Sequence, residues 1–268
     1  MLTRVRCRQR INNEPMSAPA PYLPDLIAHR GNAAEYPENT LPALRSALDL
    51  GIRHIAVDVQ LSADRQPFLL HDSDLKRTAG LERNALELEL HELADTAVNE
   101  SGRLGNRFTD VRIPTLAQAA SLLESHPAAT AFVELRRPSL RAFGHEVVVR
   151  RVAEVLKSVA RQCVLISADF TTVHHARQVT PYRVGWILSE YTRVSALKCE
   201  ALSPDYLFCD QQLLTENTSR LWRGPWRWAI SEVTSRRQAL DVSGRGARLV
   251  QTTQVRQLLR EFRGMQKG

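Results

Sequence analysis

The stretch LIAHRGNAAEYPENTLPALRSALDLGIRHIAVDV, residues 26–59, contains a strand, a helix and a second strand in succession. Apolar runs before His29 and over 54–59 predict two buried strands. Between them, Thr40 suits the N-cap of a helix with apolar residues at helical spacing, and Gly51 suits its carboxyl end. The segment therefore starts an alternation of strand and helix, which is the order that builds a parallel sheet.

The alternation continues along the chain after a less regular excursion over 73–113. Apolar runs predict eight main strands, separated by helical segments and lying near residues 26, 55, 131, 164, 184, 206, 228 and 247. A doubly wound open sheet is the competing architecture, but no glycine-rich dinucleotide loop follows the first strand. We therefore predict an α/β fold of the (β/α)8 TIM barrel type.

Length and composition are those of one folded domain. The chain has 268 residues, of which 43% are hydrophobic and 24% charged, a balance typical of globular proteins. We predict an N-terminal arm over 1–24 and a single barrel domain over 25–268. The four cysteines lack a C-x-x-C spacing and no apolar run approaches the roughly 18 residues of a membrane span. A cytoplasmic location without a transmembrane segment is the expectation.

The net charge of +7, from 36 basic and 29 acidic residues, favours an anionic partner. The arginines are scattered along the sequence, and no basic tract interleaved with aromatic residues is present. Nucleic acid is therefore not expected as a partner, and a phosphorylated small molecule is.

Polar residues fall at or near the predicted carboxyl ends of several strands, the face on which barrel enzymes build their sites. They are His29, Asp58, Glu134 and Ser167, and His71 follows a further extended run. Two imidazoles can divide acid and base work near neutral pH, and carboxylates can hold a hard cation against phosphoryl oxygens. The set suits chemistry on a phosphodiester.

Several motifs in this order resemble those of the glycerophosphodiester phosphodiesterases. The HRG, PENT, ExD and HD motifs of that family correspond here to His29–Gly31, Pro37–Thr40, Ala56–Asp58 and His71–Asp72. Weaker similarity continues with Ile113–Leu116, with Val133–Arg136, where Arg136 replaces a lysine, and with Trp228–Ser231. The last predicted strand lacks the aspartate usual in the family.

The resemblance implies a TIM barrel, a Mg²⁺ or Ca²⁺ ion, and hydrolysis of a glycerophosphodiester to glycerol 3-phosphate and an alcohol. A lysophospholipid is the alternative substrate. It also implies roles for individual residues. These are acid–base catalysis by His29 and His71, metal ligation by Asp58 and Glu134, and substrate binding by Arg30, Glu38, Asn39 and Arg136.

Ala56 departs from the family pattern, which has a metal-binding glutamate there. A methyl group coordinates nothing, although Mg²⁺ can be held by one or two carboxylates plus phosphate. Glu35 in the first loop is a candidate replacement. An alternative function therefore stays open at this point, namely a catalytically impaired barrel that binds a phosphate-containing ligand.

Overall fold

The computed structural model describes residues 22–216 and 218–264. Most of the predicted arm over 1–24 lies outside these residues, so the domain boundary stays a prediction. Strand β1 begins at Asp25, at the start of the predicted barrel domain.

The described residues form a closed barrel, which confirms the predicted (β/α)8 architecture. Eight strands are parallel, and the barrel closes because β1 pairs with both β2 and β9. The short β3 pairs antiparallel with β2 outside the closed ring. The strands are β1 (Asp25–His29), β2 (His54–Leu61), β3 (Pro67–Leu69), β4 (Thr130–Leu135), β5 (Cys163–Ser167), β6 (Arg183–Ile187), β7 (Tyr206–Asp210), β8 (Arg227–Ser231) and β9 (Leu249–Thr252).

Helices lie between most successive strands. They are α1 (Leu41–Asp49), α2 (Lys76–Ala79), α3 (Leu90–Asp95), α4 (Ser101–Leu104), α5 (Leu116–Glu124), α6 (Arg137–Phe143), α7 (His145–Val155), α8 (Phe170–Val179), α9 (Arg193–Leu202), α10 (Arg236–Gly244) and α11 (Val255–Arg263). In this part of the chain no helix is long and apolar enough to cross a membrane.

The predicted helix between the sixth and seventh barrel strands, β7 and β8, was wrong for the residues that the structure describes. After β7 the chain makes one 3₁₀ turn at Gln211–Leu213, and no helix lies over 214–216 or 218–226 before β8. Gly224 and Pro225 stand just before β8, and both residues disfavour a helix interior.

The first helix starts and ends as its sequence predicts. The Thr40 hydroxyl accepts a hydrogen bond from the amide of Ala43 at 3.4 Å, and Thr40 lies in the extended conformation of an N-cap. Gly51 follows the helix with φ of +89°, a conformation that glycine adopts without steric cost. These ends fix where the loop after β1 meets the barrel.

Apolar side chains fill the inside of the barrel below the site. They include Phe132, whose ring meets those of Tyr206 and Phe208 edge-on at centroid distances of 5.0 and 5.2 Å. Ala56 belongs to the same cluster. Because alternate residues of a strand share a face, Asp58 follows Ala56 on the inner face of β2, one step nearer the carboxyl end. The polar mouth of the barrel thus lies on an apolar floor.

Candidate active site

Asp58 is the buried centre of the polar cluster at this mouth. It is 2% exposed and stands in register with Glu134 on the neighbouring strand. The Asn39 amide donates to Asp58 Oδ2 at 2.9 Å, and Asn39 Oδ1 accepts from the Asp58 backbone amide at 3.0 Å. Asn39 has φ of +55°, a left-handed conformation that asparagine tolerates better than most residues. Asn39 therefore positions Asp58.

Arg30 lies beside Asp58 and is held from its other side by Glu38. Arg30 Nε is 2.8 Å from Asp58 Oδ2, and its Nη1 donates to Glu38 Oε1 at 3.1 Å. Arg77 makes a bidentate pair with the same Glu38 carboxylate at 2.6 and 3.0 Å. Glu38 is thus occupied by two guanidinium groups and positions them. The sequence pattern did not predict this role for Arg77.

The contacts of His71 define its tautomer. Arg136 Nη2 lies 2.8 Å from His71 Nε2, and Asp72 Oδ1 lies 2.7 Å from His71 Nδ1. A guanidinium only donates hydrogen bonds. Nε2 therefore accepts from Arg136, while Nδ1 carries the proton and donates to Asp72. Burial, with the charges of nearby arginines, lowers the pKa of His71 below its ordinary value.

His29 lies at the carboxyl end of β1, and its Nδ1 is 3.6 Å from Glu232 Oε1. Burial and the neighbouring Arg30 lower the pKa of His29 to about 4. Burial acts to raise the pKa of Asp58, but the arginines and both imidazoles around it lower that pKa below its ordinary value. His29 is in register with Ala56, two residues before Asp58, and Arg136 lies between Asp58 and His71, so the two histidines lie on either side of one carboxylate.

Arg136 lies between the two carboxylates that were predicted to bind a metal. Its Nη1 contacts Glu134 Oε1 and is 3.6 Å from Asp58 Oδ1. Burial and the charge of Asp58 raise the pKa of Glu134 above its ordinary value. The guanidinium thus links both acids to His71.

The residues at the mouth do not fit the predicted cation. Ala56 provides only a methyl group, and its side chain belongs to the apolar cluster inside the barrel. Glu35, the candidate replacement, instead accepts hydrogen bonds from Arg256 at 2.6 Å and from Asn32 at 3.2 Å. Over 22–216 and 218–264, no group of three or more His, Cys, Asp or Glu side chains is arranged to hold a metal ion.

The sequence did not identify Gln60, which is fully buried on the same face of β2 as Asp58. Its Nε2 donates to the backbone oxygens of His71 and Asp72 at 3.2 and 3.1 Å, and its Oε1 accepts from Ser139 at 2.8 Å. Gln60 therefore holds the loop that presents His71. Its even spacing from Asp58 in a predicted strand was the available signal.

Ser167, which the sequence placed among the polar strand ends, is fully buried and donates to the backbone oxygen of Leu135 at 2.9 Å.

A separate cavity of about 870 Å³ lies at the amino-terminal ends of the strands, beside Asp25 and His54. Its lining includes Trp222, Trp226 and Trp228. These indoles therefore lie at the opposite end of the barrel from Asp58.

Comparison with protein families shows to which family a chain with this site belongs. The sequence model of the Glycerophosphoryl diester phosphodiesterase family matches residues 29–220, well over half of the chain. The chain belongs to this family. This match confirms the family that the motifs at His29 and His71 predicted.

Curated relatives cover a smaller part. Glycerophosphodiester phosphodiesterase 1 of Rattus norvegicus is 36% identical over 95 residues, which are 35% of this chain and 29% of the relative. Glycerophosphodiester phosphodiesterase of Caldanaerobacter subterraneus subsp. tengcongensis is 35% identical over 98 residues, 37% of this chain and 40% of the relative. The matched segments thus span less than half of the length of these relatives.

Solved structures support the fold along almost the whole chain. An Oleispira antarctica phosphodiesterase in complex with sn-glycerol-3-phosphate has a TM-score of 0.77 and 22% identity, covering 90% of this chain and 97% of that one. The protein described as a glycerophosphoryl diester phosphodiesterase of Silicibacter pomeroyi DSS-3 also has a TM-score of 0.77, at 18% identity, covering 90% of this chain and 95% of that one. At these identities the similarity establishes the TIM barrel fold.

Proposed function

We propose that the protein hydrolyses a glycerophosphodiester to glycerol 3-phosphate and an alcohol. The observation that supports this most directly is the placement of two imidazoles and two guanidiniums around Asp58 at the carboxyl mouth of a family barrel. Guanidinium groups suit the oxygens of a phosphate, and imidazoles suit proton transfer near neutral pH.

In the proposed reaction His29 is the general base and His71 the general acid. His29 stays unprotonated down to about pH 4, so it can take a proton from the attacking water. The water oxygen forms a bond to phosphorus, and the bond from phosphorus to the alcohol oxygen breaks. The alcohol leaves with a proton from the protonated form of His71, in which Nε2 carries a proton instead of accepting from Arg136. The carboxylate of Asp72, 2.7 Å from Nδ1, stabilises that form. No step passes through a divalent cation, because the donor set does not fit one.

We propose a substrate with a small polar alcohol rather than a lysophospholipid. The relative named lysophospholipase D of Rattus norvegicus is 27% identical over 147 residues, 53% of this chain and 43% of the relative. In this chain, however, the aromatic cavity lies at the far end of the barrel, and the side chains described around Asp58 are charged or polar. A cytoplasmic location and independence from nucleic acid stay predictions.

The second candidate function is phosphate-ligand binding without turnover. Ala56 favours it, as does the last strand, Leu249–Thr252, which lacks the aspartate usual in the family. Binding of glycerol 3-phosphate without hydrolysis of any diester would support this candidate.

The test is a hydrolysis assay on glycerophosphodiesters of different alcohols and on lysophospholipids, with and without Mg²⁺, Ca²⁺ or Mn²⁺. We expect glycerol 3-phosphate as a product and a loss of about a hundredfold or more in kcat for His29→Gln and for His71→Gln. The exposed His91 provides the control, and His91→Gln should retain full activity. Folded protein with no turnover under any of these conditions would refute the proposal.

A further inference from the structure

The position that a bridging cation would occupy at this mouth is already held by a side chain. Arg136 Nη1 contacts Glu134 Oε1 and lies 3.6 Å from Asp58 Oδ1, and these are the two acids to which the family pattern assigns a metal. The family pattern has a lysine at this position, and it has a glutamate at the position of Ala56.

Each of the two predicted metal-binding acids has a guanidinium beside it without a metal ion. Asp58 and Glu134 contribute two negative charges, and Arg30 and Arg136 contribute two positive charges within ion-pair distance of them. The Ala56 methyl removes the third negative charge of the pattern. A divalent cation placed here would meet two guanidiniums and only two carboxylates, and like-charge repulsion would oppose it.

The second amino group of Arg136 points toward the proposed chemistry. Its Nη2 donates to His71 Nε2 at 2.8 Å, so the guanidinium contacts a proposed acid–base residue and both acids at once. A phosphoryl oxygen near His71 would find a cationic donor of fixed geometry. A guanidinium provides such donors in pairs and stays protonated at all working pH values.

We propose that the Arg136 guanidinium replaces the divalent cation at this site, so that arginines, without a metal ion, provide the positive charge for the phosphodiester that the protein binds and cleaves. The inference rests on the proposed function for its substrate. Ala56 and Arg136 form one exchange in this view: Ala56 removes a carboxylate from the family pattern, and Arg136 replaces the lysine by a guanidinium of the same charge that lies beside both remaining acids.

The first experiment measures cation and product binding directly on the wild-type protein after removal of metals. Titration with Mn²⁺ followed by electron paramagnetic resonance should show no bound ion at about millimolar Mn²⁺, where even weak protein sites for hard cations fill. Calorimetry should give the same affinity for glycerol 3-phosphate in EDTA and in Mg²⁺. Stoichiometric Mn²⁺ binding, or product binding that requires Mg²⁺, would overturn the inference.

Variants separate the charge of Arg136 from its geometry. Arg136→Gln should weaken glycerol 3-phosphate binding about tenfold to a hundredfold, the value of a charge-assisted hydrogen bond, and Arg136→Lys should recover part of it. Arg137→Gln is the matched control, because Arg137 is exposed and donates to the backbone oxygen of Ala168. Unchanged binding in Arg136→Gln would contradict the proposal.

The double variant Ala56→Glu, Arg136→Lys restores the family residues and should gain Mn²⁺ binding that the wild type lacks. If this variant does not fold, the wild-type Mn²⁺ titration still decides the question. Absence of hydrolysis under all conditions would refute the proposed function, while the binding measurements would continue to test the cation replacement. Hydrolysis that EDTA abolishes and Mg²⁺ restores would leave the function intact and refute the replacement.

Discussion

Replacing Asn39 tests whether this residue holds Asp58 in place. Its amide donates to the Asp58 carboxylate, and its side-chain oxygen accepts from the Asp58 amide. Asn39→Gly removes both hydrogen bonds, and glycine adopts the φ of +55° at this position without steric cost. The bond to the charged carboxylate is worth about 1.5–3 kcal/mol and the other about 0.5–1.5 kcal/mol. The free energy of unfolding should therefore fall by about 2–4.5 kcal/mol.

Asn39→Ala separates the backbone contribution from the hydrogen bonds. It loses the same two bonds and adds the cost of a left-handed residue with a Cβ, about 1–2 kcal/mol. The measurement is urea unfolding followed by circular dichroism, with midpoints compared at an unchanged slope. The exposed Asn106→Gly should stay within about 0.5 kcal/mol of wild type.

The reasoning fails if Asn39→Gly costs less than about 0.5 kcal/mol, or if Asn39→Ala is the milder change. The first outcome would mean that Asp58 finds other partners once its amide contacts are gone. The second would mean that the positive φ is not strained.

Three further predictions follow from individual contacts. The pKa of His29 falls from 6.5 to about 4 on folding, so the unfolded state binds more protons than the folded state between these pH values. The free energy of unfolding is therefore highest above pH 6.5 and falls by about 3 kcal/mol as the pH falls toward 4. Urea midpoints of wild type and His29→Gln should diverge over that window, with the wild type losing more stability on acidification, and parallel curves would contradict it. Asp72→Asn removes the negative charge beside His71 and lowers its pKa further, so kcat/KM at pH 7 should fall about tenfold or more and its alkaline limb should move to lower pH; an unshifted pH profile would show that Asp72 does not support the acid. Gly31→Ala places a Cβ 2.5 Å from a backbone carbon of α1, at φ of +82°, and should lower the free energy of unfolding in urea by about 2–4 kcal/mol. In the control Gly51→Ala the Cβ meets no atom within 4 Å, and the loss should be only about 1–2 kcal/mol. Equal losses in the two variants would contradict the steric clash at Gly31.

Much of the fold was predictable because it depends on local pattern. Apolar runs gave all eight parallel strands, and the ends of the first helix were visible in Thr40 and Gly51. The segment between β7 and β8 was predicted wrongly, because the barrel order suggests a helix there whereas Gly224 and Pro225 disfavour one. The motifs also identified the family before any contact was known.

The hydrogen-bond and ion-pair partners of the site residues were harder to predict from the sequence. Glu38 and Asn39 were predicted to bind substrate, and the structure shows that they hold other side chains, Arg30 and Asp58 respectively. Whether they also contact substrate stays a prediction. Gln60 carried a usable signal in its spacing from Asp58, whereas nothing in the spacing of Arg77 indicated its pair with Glu38.

The sequence by itself determined the order of strands and helices, the family, and which polar residues stand at strand ends, because these follow from periodicity and from short contiguous motifs. Only the tertiary structure decided that the Arg136 guanidinium lies between Asp58 and Glu134 and reaches His71. Barrel closure brings together residues that are distant in the chain, and the direction of a long side chain depends on the charges that surround it after closure.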